Sequence, residues 1–260
     1  MQAVDGFSTG GVGMRRLLLD RYSGNQPCRN DPRPANLLRL ADDYNFVGAI
    51  DKASMGGGPD LWQWHVAEAD IVRALGRTWL QGLTHWIDPA QNLERQADCF
   101  LAEIDNVQPD FLLYDIEQYD GDWGISFKLI PPAKIYDATV FIIEYVSSMC
   151  LLPWMPYSAK WFLGRYCPQL VDWFGDHPAL VASYADYGQK VRRVTRAAFL
   201  AWVEQVAVMP MPTSGVGVLR NPVVRQVSST QQLACCPANY DASIILDDPG
   251  FDAWLAGGLQ

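Results

Sequence analysis

The chain has 260 residues, of which 49% are apolar and 19% charged, and its formal net charge is -9 at pH 7. This length fits one or two domains, and this apolar share supports a large buried core, which excludes an intrinsically disordered chain. The acidic balance argues against a partner held through phosphates, because nucleic-acid binding needs a basic surface. The 10 Trp and 11 Tyr residues either fill a core or line a groove for flat, weakly charged ligands. Composition therefore favours a compact enzyme or a carbohydrate-type binder.

Membrane spans, a secretory signal and cysteine motifs would each indicate where the protein acts. No apolar run reaches the roughly 18 residues of a membrane span, and the Gly-rich segment 1–13 lacks the apolar centre of a secretory signal. The six cysteines include no Cys-x-x-Cys pair and no histidine at zinc-finger spacing. They are therefore expected to be buried reduced thiols, with the pairing of Cys235 and Cys236 left open.

Short β-type runs alternate with amphipathic stretches in the first half of the chain. Strands are predicted at 16–20, 46–53, 78–86 and 110–117. Helices are predicted at 34–44, 61–75 and 89–104, the last with a proline in its first turn. The run DFLLYDIE at 110–117 is the strongest strand signal in the sequence.

The second half continues the pattern after a long loop expected at 120–138. Strands are predicted at 153–157, 179–187, 216–228 (one bent strand or a hairpin) and 241–246. Helices are predicted at 137–152, 159–166 and 189–208. Strands in βα order, apolar in the body and polar at the C-terminal end, predict an α/β fold with a closed barrel in one domain.

Four acidic residues stand where an active site is expected in such a barrel, at strand ends: Asp20, Asp115, Glu117 and Asp241. Asp115 and Glu117 are two positions apart on one predicted strand, so their side chains leave the same face with α-carbons roughly 6.5 Å apart. Two carboxyls this close in a confined cleft do not both ionise easily, so one keeps a proton near neutral pH. Cleavage of a glycosidic bond needs such an acid and an anion. The alternative is a solvated strand end whose charges bind arginines or cap the next helix.

Nine short segments follow one another in an order that is specific as a set, although none is specific alone. They are 17–20 (LLLD), 46–54 (FVGAIDKAS), 82–86 (GLTHW), 96–101 (QADCFL), 114–117 (YDIE), 156–158 (PYS), 180–185 (LVASYA), 225–229 (RQVSS) and 240–243 (YDAS). In this order the chain resembles the glycoside hydrolase family 25 lysozymes. The resemblance implies a single-domain, partly irregular TIM-like (β/α) barrel over 16–260, after a Gly-rich leader at 1–15. The chain departs from the family pattern in segments 119–138 and 189–215, and neither departure removes a carboxylate.

The resemblance also implies an activity and roles for individual residues. It implies a muramidase that cuts the β-1,4 bond between N-acetylmuramic acid and N-acetylglucosamine by a retaining, substrate-assisted mechanism. Glu117 would be the general acid/base and Asp115 would orient the substrate N-acetyl group. Asp20 and Asp241 would supply the remaining negative field. Candidate substrate-binding residues are Trp86, Tyr157, Tyr184, Tyr187, Lys52 and Gln226, with barrel packing as the alternative for the aromatics. For Lys52 two roles are considered, a salt bridge to an acid of the cluster and a purely structural one.

The expected partner is the glycan strand of bacterial peptidoglycan, with no nucleic acid, no membrane span and no cofactor. No metal is expected either, since His65, His85 and His177 have no ligand spacing. A monomer that is extracellular or acts on the cell wall is expected. A phage lysin released from the host cytoplasm or carried by the virion fits this expectation, as does a chain from which a leader was trimmed. The competing hypothesis is a non-catalytic barrel that binds glycan or a protein in the same groove.

Overall fold

The computed structural model describes residues 14–21, 35–60, 63–76, 78–117, 130–159, 161–183, 195–211, 218–233 and 236–257. The strands are β1 (Leu17–Arg21), β2 (Phe46–Met55), β3 (Gly58–Pro59), β4 (Leu80–Trp86), β5 (Phe111–Asp115), β6 (Trp154–Ala159), β7 (Pro178–Ala182), β8 (Asn221–Leu233) and β9 (Cys236–Ile245). The helices are α1 (Ala35–Tyr44), α2 (Gln63–Ala74), α3 (Leu93–Val107), α4 (Pro132–Met149), α5 (Phe162–Tyr166), α6 (Gln169–Phe174), α7 (Arg196–Ala207) and α8 (Asp248–Leu255).

The described strands close into a barrel. β1 pairs in parallel with β2 and antiparallel with β9, and the sheet between them runs in the order β2-β4-β5-β6-β7-β8-β9. β3 only extends β2 as a short antiparallel arm. The TIM-like barrel predicted from the sequence is therefore confirmed.

The last strand corrects the expectation of βα order throughout. β9 is antiparallel to both of its neighbours, β8 and β1. β8 ends at Leu233 and β9 begins at Cys236, and a link this short cannot carry the crossover of a dozen or more residues that a parallel pair needs. The irregularity of the barrel is therefore located at β8-β9-β1.

Several helix boundaries differ from those expected. α3 begins at Leu93 and not at Pro89, because the Asn92 side chain caps it by accepting a hydrogen bond from the Arg95 N–H. α4 begins at Pro132, inside the stretch expected to be loop, since proline is well tolerated in a first helical turn, where backbone N–H groups have no partner. The short helix α6 was not expected. The expected strand end and helix start at 184–194 lie outside the described residues.

Side chains along each strand point alternately into the barrel and outward to the helices, so the hydrophobic core has two layers. Leu18, Ile50, Leu113 and Leu180 face the barrel interior and are fully buried or nearly so. Their sequence neighbours face the helices, as Leu17 does. One hydrophobic cluster therefore fills the barrel, and two others join it to the surrounding helices.

The lower end of the barrel, where the parallel strands begin, is closed by α8. Phe251 and Trp254 of this helix contact Phe111 edge-on, with ring centroids 6.1 and 5.5 Å away. Gly82 makes room for Phe111, because a Cβ atom at residue 82 would lie 2.5 Å from that ring. Aromatic side chains thus fill the lower interior, and the polar inward positions are left at the upper end.

No helix among the described residues is long and apolar enough to cross a bilayer. Cys99, Cys150 and Cys167 carry free thiols, but only Cys167 is fully buried. The remaining cysteine side chains, like the Gly-rich segment 1–13, lie outside what the structure describes.

Candidate active site

Strand alternation brings three carboxyls to the upper end of the barrel interior. Asp20 stands two residues after inward-facing Leu18 on β1, and Asp115 two residues after Leu113 on β5. Asp241 reaches the same level from the opposite direction, because β9 is antiparallel and its register pairs Asp241 directly with Asp20. Asp241 therefore lies within its strand and not at a C-terminal end, which corrects the expectation from the sequence.

Glu117 lies just beyond β5 and not on it, since the strand ends at Asp115. The expectation that both acids leave one face of a regular strand is corrected accordingly. Two hydrogen bonds fix this turn of chain: the Ile116 N–H donates to the Tyr157 carbonyl at 2.9 Å, and the Trp86 indole N–H donates to the Glu117 carbonyl at 3.2 Å. The backbone of Glu117 is thus anchored to two neighbouring strands.

All four carboxyls hold protons more strongly than free carboxyls do. Burial raises the pKa of Glu117 well above its usual value, and the charges of Asp115, Asp20 and Asp241 raise it further. Burial raises the pKa of Asp115 to about 6 and that of Asp241 to about 7. Burial and then the facing Asp241 raise the pKa of Asp20 well above its usual value. The cluster therefore keeps protons at neutral pH, Glu117 among the groups that hold them.

Lys52 is the cation of this cluster. It occupies an inward position on β2, two residues after Ile50, and its Nζ lies 3.6 Å from Oδ2 of Asp115. Its charge opposes the rise in pKa at Glu117, Asp20 and Asp241 as well as at Asp115. Of the two roles considered for Lys52, the structure shows the salt bridge with an acid.

Tyr157 and Gln226 support Asp20. The Tyr157 hydroxyl donates to Oε1 of Gln226 at 2.8 Å, and Nε2 of Gln226 donates to Oδ2 of Asp20 at 2.8 Å. Tyr157 is 6% exposed, so most of its ring is unavailable to a ligand. Both residues were expected to bind sugar, and the structure shows them as a hydrogen-bonded chain that orients the Asp20 carboxyl.

Of the three remaining aromatic candidates for sugar binding, Trp86 is buried, and the other two lie outside the residues that the structure describes. Trp86 is 2% exposed and belongs to the cluster between the barrel and its helices, so it does not form an open groove wall as expected. Its contribution to the site is the hydrogen bond to the Glu117 carbonyl. Tyr184 and Tyr187 lie outside the described residues.

A buried ion pair behind the cluster was missed by the sequence reasoning. Arg21 donates to both carboxylate oxygens of Asp51, at 2.8 Å each, and Gln81 donates to the same carboxylate at 2.7 Å. Arg21 follows Asp20 and Asp51 precedes Lys52, so the strand period places the pair on the other face of the barrel wall. The register also joins Arg21 to Asp51, which fixes Asp20 and Lys52 relative to each other. That period is the signal that could have revealed the pair.

Two histidines have packing roles. Nδ1 of buried His85 lies 2.8 Å from the Ser54 hydroxyl, and burial lowers the pKa of His85 to about 3, so its ring is neutral. Nε2 of His177 lies 2.8 Å from the Trp154 carbonyl. Among the described residues, no group of three or more His, Cys, Asp or Glu side chains is arranged to hold a metal ion.

Comparison with known proteins gives matches in structure only. No family model matches the sequence, and no curated protein sequence matches it. The bacterial lysozyme from Streptomyces coelicolor superposes with a TM-score of 0.65 at 12% identity, covering 94% of this chain and 98% of that one. A family 25 glycosyl hydrolase from Bacillus anthracis gives 0.62 at 13% identity, covering 92% and 93%. The catalytic domain of endolysin ply40 from bacteriophage P40 of Listeria monocytogenes gives 0.59 at 14% identity, covering 94% and 99%. The chain therefore has the fold of the family 25 glycosyl hydrolases.

Proposed function

We propose that the chain is a lysozyme-type glycoside hydrolase that cleaves the β-1,4 bond between N-acetylmuramic acid and N-acetylglucosamine in peptidoglycan. The observation that carries this proposal is the cluster at the upper end of the barrel, where Glu117 interacts with three further carboxyls and one lysine. The fold shared with a bacterial lysozyme and an endolysin supports it.

In the first step, Glu117 acts as the general acid. Its raised pKa keeps the carboxyl protonated, so it donates its proton to the glycosidic oxygen as the bond to the anomeric carbon breaks. The carbonyl oxygen of the sugar's own N-acetyl group attacks the anomeric carbon and forms the new bond. Asp115, ionised beside Lys52, accepts a hydrogen bond from the N–H of that acetamido group and orients it.

In the second step, Glu117 acts as the general base. Its carboxylate takes a proton from water, the water oxygen attacks the anomeric carbon, and the bond to the acetamido oxygen breaks. Two displacements at one carbon give overall retention, and Glu117 is again protonated. Asp20 and Asp241 share the remaining negative charge and stabilise the positive charge that develops on the sugar ring.

The cost of the cluster supports catalysis over simple binding. Burying four carboxyls with raised pKa values lowers stability at neutral pH, and a binding module gains nothing from that charge. The proposed setting is the bacterial cell wall, with the glycan strand as partner, the protein acting as a monomer, and one catalytic domain over 16–260.

Glu117→Gln tests the assignment. It should lower the clearing rate of a purified cell-wall suspension by about a hundredfold to ten-thousandfold, the usual contribution of a general acid/base. Glu144→Gln is the matched control, because Glu144 is an exposed acid on α4. New reducing ends released by the unaltered chain should be muramic acid.

Three outcomes would overturn the proposal. Full clearing by Glu117→Gln would remove Glu117 from the mechanism. Reducing glucosamine ends would make the enzyme a glucosaminidase. Wall binding by the unaltered chain with no new sugar ends would support the non-catalytic barrel.

A further inference from the structure

An open cavity of about 380 Å³ lies between α4 and α6, on the outside of the barrel. Its lining combines two aromatic rings with polar side chains: Ala133, Tyr136, Asp137, Gln169, Asp172 and Trp173. None of these residues belongs to the acid cluster or to its supports. The volume is near the lower end of the range for small-ligand sites, which suits a mono- or disaccharide.

Trp173 gives the cavity a rigid, flat surface. Its ring stacks on Trp154 at 6.3 Å between centroids with an angle of 19° between planes, and Phe174 contacts it edge-on at 5.1 Å. Trp154 is in turn stacked on His177 at 4.0 Å. Because Trp173 is held by these contacts and still partly exposed, a ligand that packs on it loses little side-chain entropy. The C–H face of a sugar ring is the complement of the electron-rich face of an indole.

Polar groups beside the rings match the hydroxyls of a sugar. Asp137 and Asp172 offer carboxylate oxygens that accept hydrogen bonds, and the Gln169 amide both donates and accepts. Arg220 forms a salt bridge with Asp172, so the net charge beside the rings is small and negative. A phosphate or another anion is therefore disfavoured, and an uncharged ligand with many hydroxyl donors is favoured.

We propose that this cavity is a second saccharide-binding site, which holds neutral N-acetylated glycan outside the acid cleft. The choice of glycan rests on the proposed function. The site retains the protein on an insoluble wall between cleavages, because a bound glycan segment keeps other segments at high local concentration near the cleft. Its loss should therefore affect insoluble walls and spare short soluble chains.

The binding test uses N,N′,N″-triacetylchitotriose as the probe and the Glu117→Gln chain, so that no turnover occurs. NMR titration should show two perturbed regions, one at the upper end of the barrel and one at α4 and α6. Adding Trp173→Ala should weaken binding at α4 and α6 about tenfold and leave the cleft unchanged. Asp137→Ala should also weaken binding at α4 and α6; because Asp137 is exposed, this change removes no buried packing. Trp161→Ala is the matched control, since Trp161 is 45% exposed and does not line the cavity.

Three binding results would overturn the proposal. They are a lack of perturbation at α4 and α6, equal binding by Asp137→Ala and the parent chain, and perturbation there by tetramethylammonium but not by the sugar. The last result would assign the cavity to organic cations, which aromatic rings and carboxylates also bind.

The activity test separates this inference from the proposed function. Trp173→Ala in the active chain should clear insoluble walls about tenfold more slowly and cut short soluble glycan at the unaltered rate. An equal loss on both substrates in Trp173→Ala and in the exposed Asp137→Ala alike would overturn the second site, because these residues would then have no particular role on insoluble walls. If the unaltered chain cuts neither substrate, the proposed hydrolase fails, while the titration still decides whether the cavity binds sugar.

Discussion

The two ends of the barrel interior are built from the same inward strand positions and have opposite character. At the lower end the Phe251 and Trp254 rings contact Phe111 edge-on and each other at a tilt, and all three are buried. At the upper end Asp20 and Asp115 occupy the next inward positions of their strands, with little or no solvent around Asp115. The same side-chain alternation therefore supplies both the packed core and the acid cluster, and only the residue types differ between the two ends of the strands.

Packing at the lower end of the barrel raises the free energy of unfolding, and the buried carboxyls at the upper end lower it. Asp115 is 3% exposed, and its pKa rises from 3.8 to about 6. A shift of this size corresponds to roughly 3 kcal/mol of destabilisation once the carboxyl ionises. Burying one large aromatic side chain contributes a similar amount. The aromatic packing at the lower end is therefore large enough to offset the free-energy cost of ionising a buried carboxyl at the upper end.

Of the changes that test this difference between the two ends, Trp254→Ala at the lower end should have the largest effect on stability. The change removes a side chain that is 1% exposed and contacts two rings, and it should lower the free energy of unfolding by about 3–5 kcal/mol. Chemical denaturation measures this, and activity per folded molecule should stay near that of the unaltered chain. Leu151→Ala, at a residue that is 85% exposed, should change stability by less than about 0.5 kcal/mol. Similar losses in both variants would show that the lower end is not the main packed core.

A smaller, pH-dependent gain is expected from Asp241→Asn at the upper end. Asp241 has a pKa raised to about 7 in the fold, so its contribution to stability is full below its unfolded value near 3.8 and is lost as pH rises through 7. The neutral variant avoids that loss. The rise in pKa from 3.8 to about 7 corresponds to roughly 4 kcal/mol, and solvent screening at the partly exposed Asp241 reduces the expected gain to about 2 kcal/mol at pH 8, or roughly 4–8 °C in Tm. The gain should shrink toward pH 4.

The control for this change is Asp176→Asn, at an exposed acid far from the cluster in sequence. It should shift Tm little at either pH. A gain for Asp241→Asn that is equal at pH 4 and pH 8, or a loss at pH 8, would contradict the raised pKa of Asp241.

The smallest effect is expected from Lys52→Met, which alters the upper end without removing a carboxyl. Lys52 lowers the pKa of both Asp115 and Glu117, so its loss raises both. Under the proposed mechanism the acid limb of kcat/KM reports ionisation of Asp115. It should move upward from about pH 6 by roughly one unit, and the alkaline limb should move the same way. Lys134→Met, at an exposed residue of α4, should leave both limbs in place. An acid limb that stays in place or moves to lower pH would show that Lys52 does not act on Asp115.

The sequence allowed the barrel and its acid set to be predicted because both depend on local periods. Apolar runs that end in an acid predicted the strands β1 and β5, and strands in βα order predicted the closed barrel. Boundaries were less predictable where local signals compete. Pro89 predicts a helix start, but the Asn92 cap places the start of α3 at Leu93. The sequence around Pro132 predicts a loop, but proline fits the first turn of a helix and α4 begins there.

The sequence is enough to divide the side chains of a strand between its two faces, since alternation is a property of the strand. The contacts that those side chains make depend on how distant parts of the chain come together. The antiparallel direction of β9 places Asp241 opposite Asp20, and closure of the barrel brings Gln226 onto Asp20 across 206 residues of sequence. Trp86 and Tyr157 are predicted from the sequence to line a groove, but both are buried in the fold. Trp86 donates a hydrogen bond to the Glu117 carbonyl, and Tyr157 holds Asp20 through Gln226. Residues that are distant along the chain set these contacts and the pKa values that follow from them, and no local pattern records such distances.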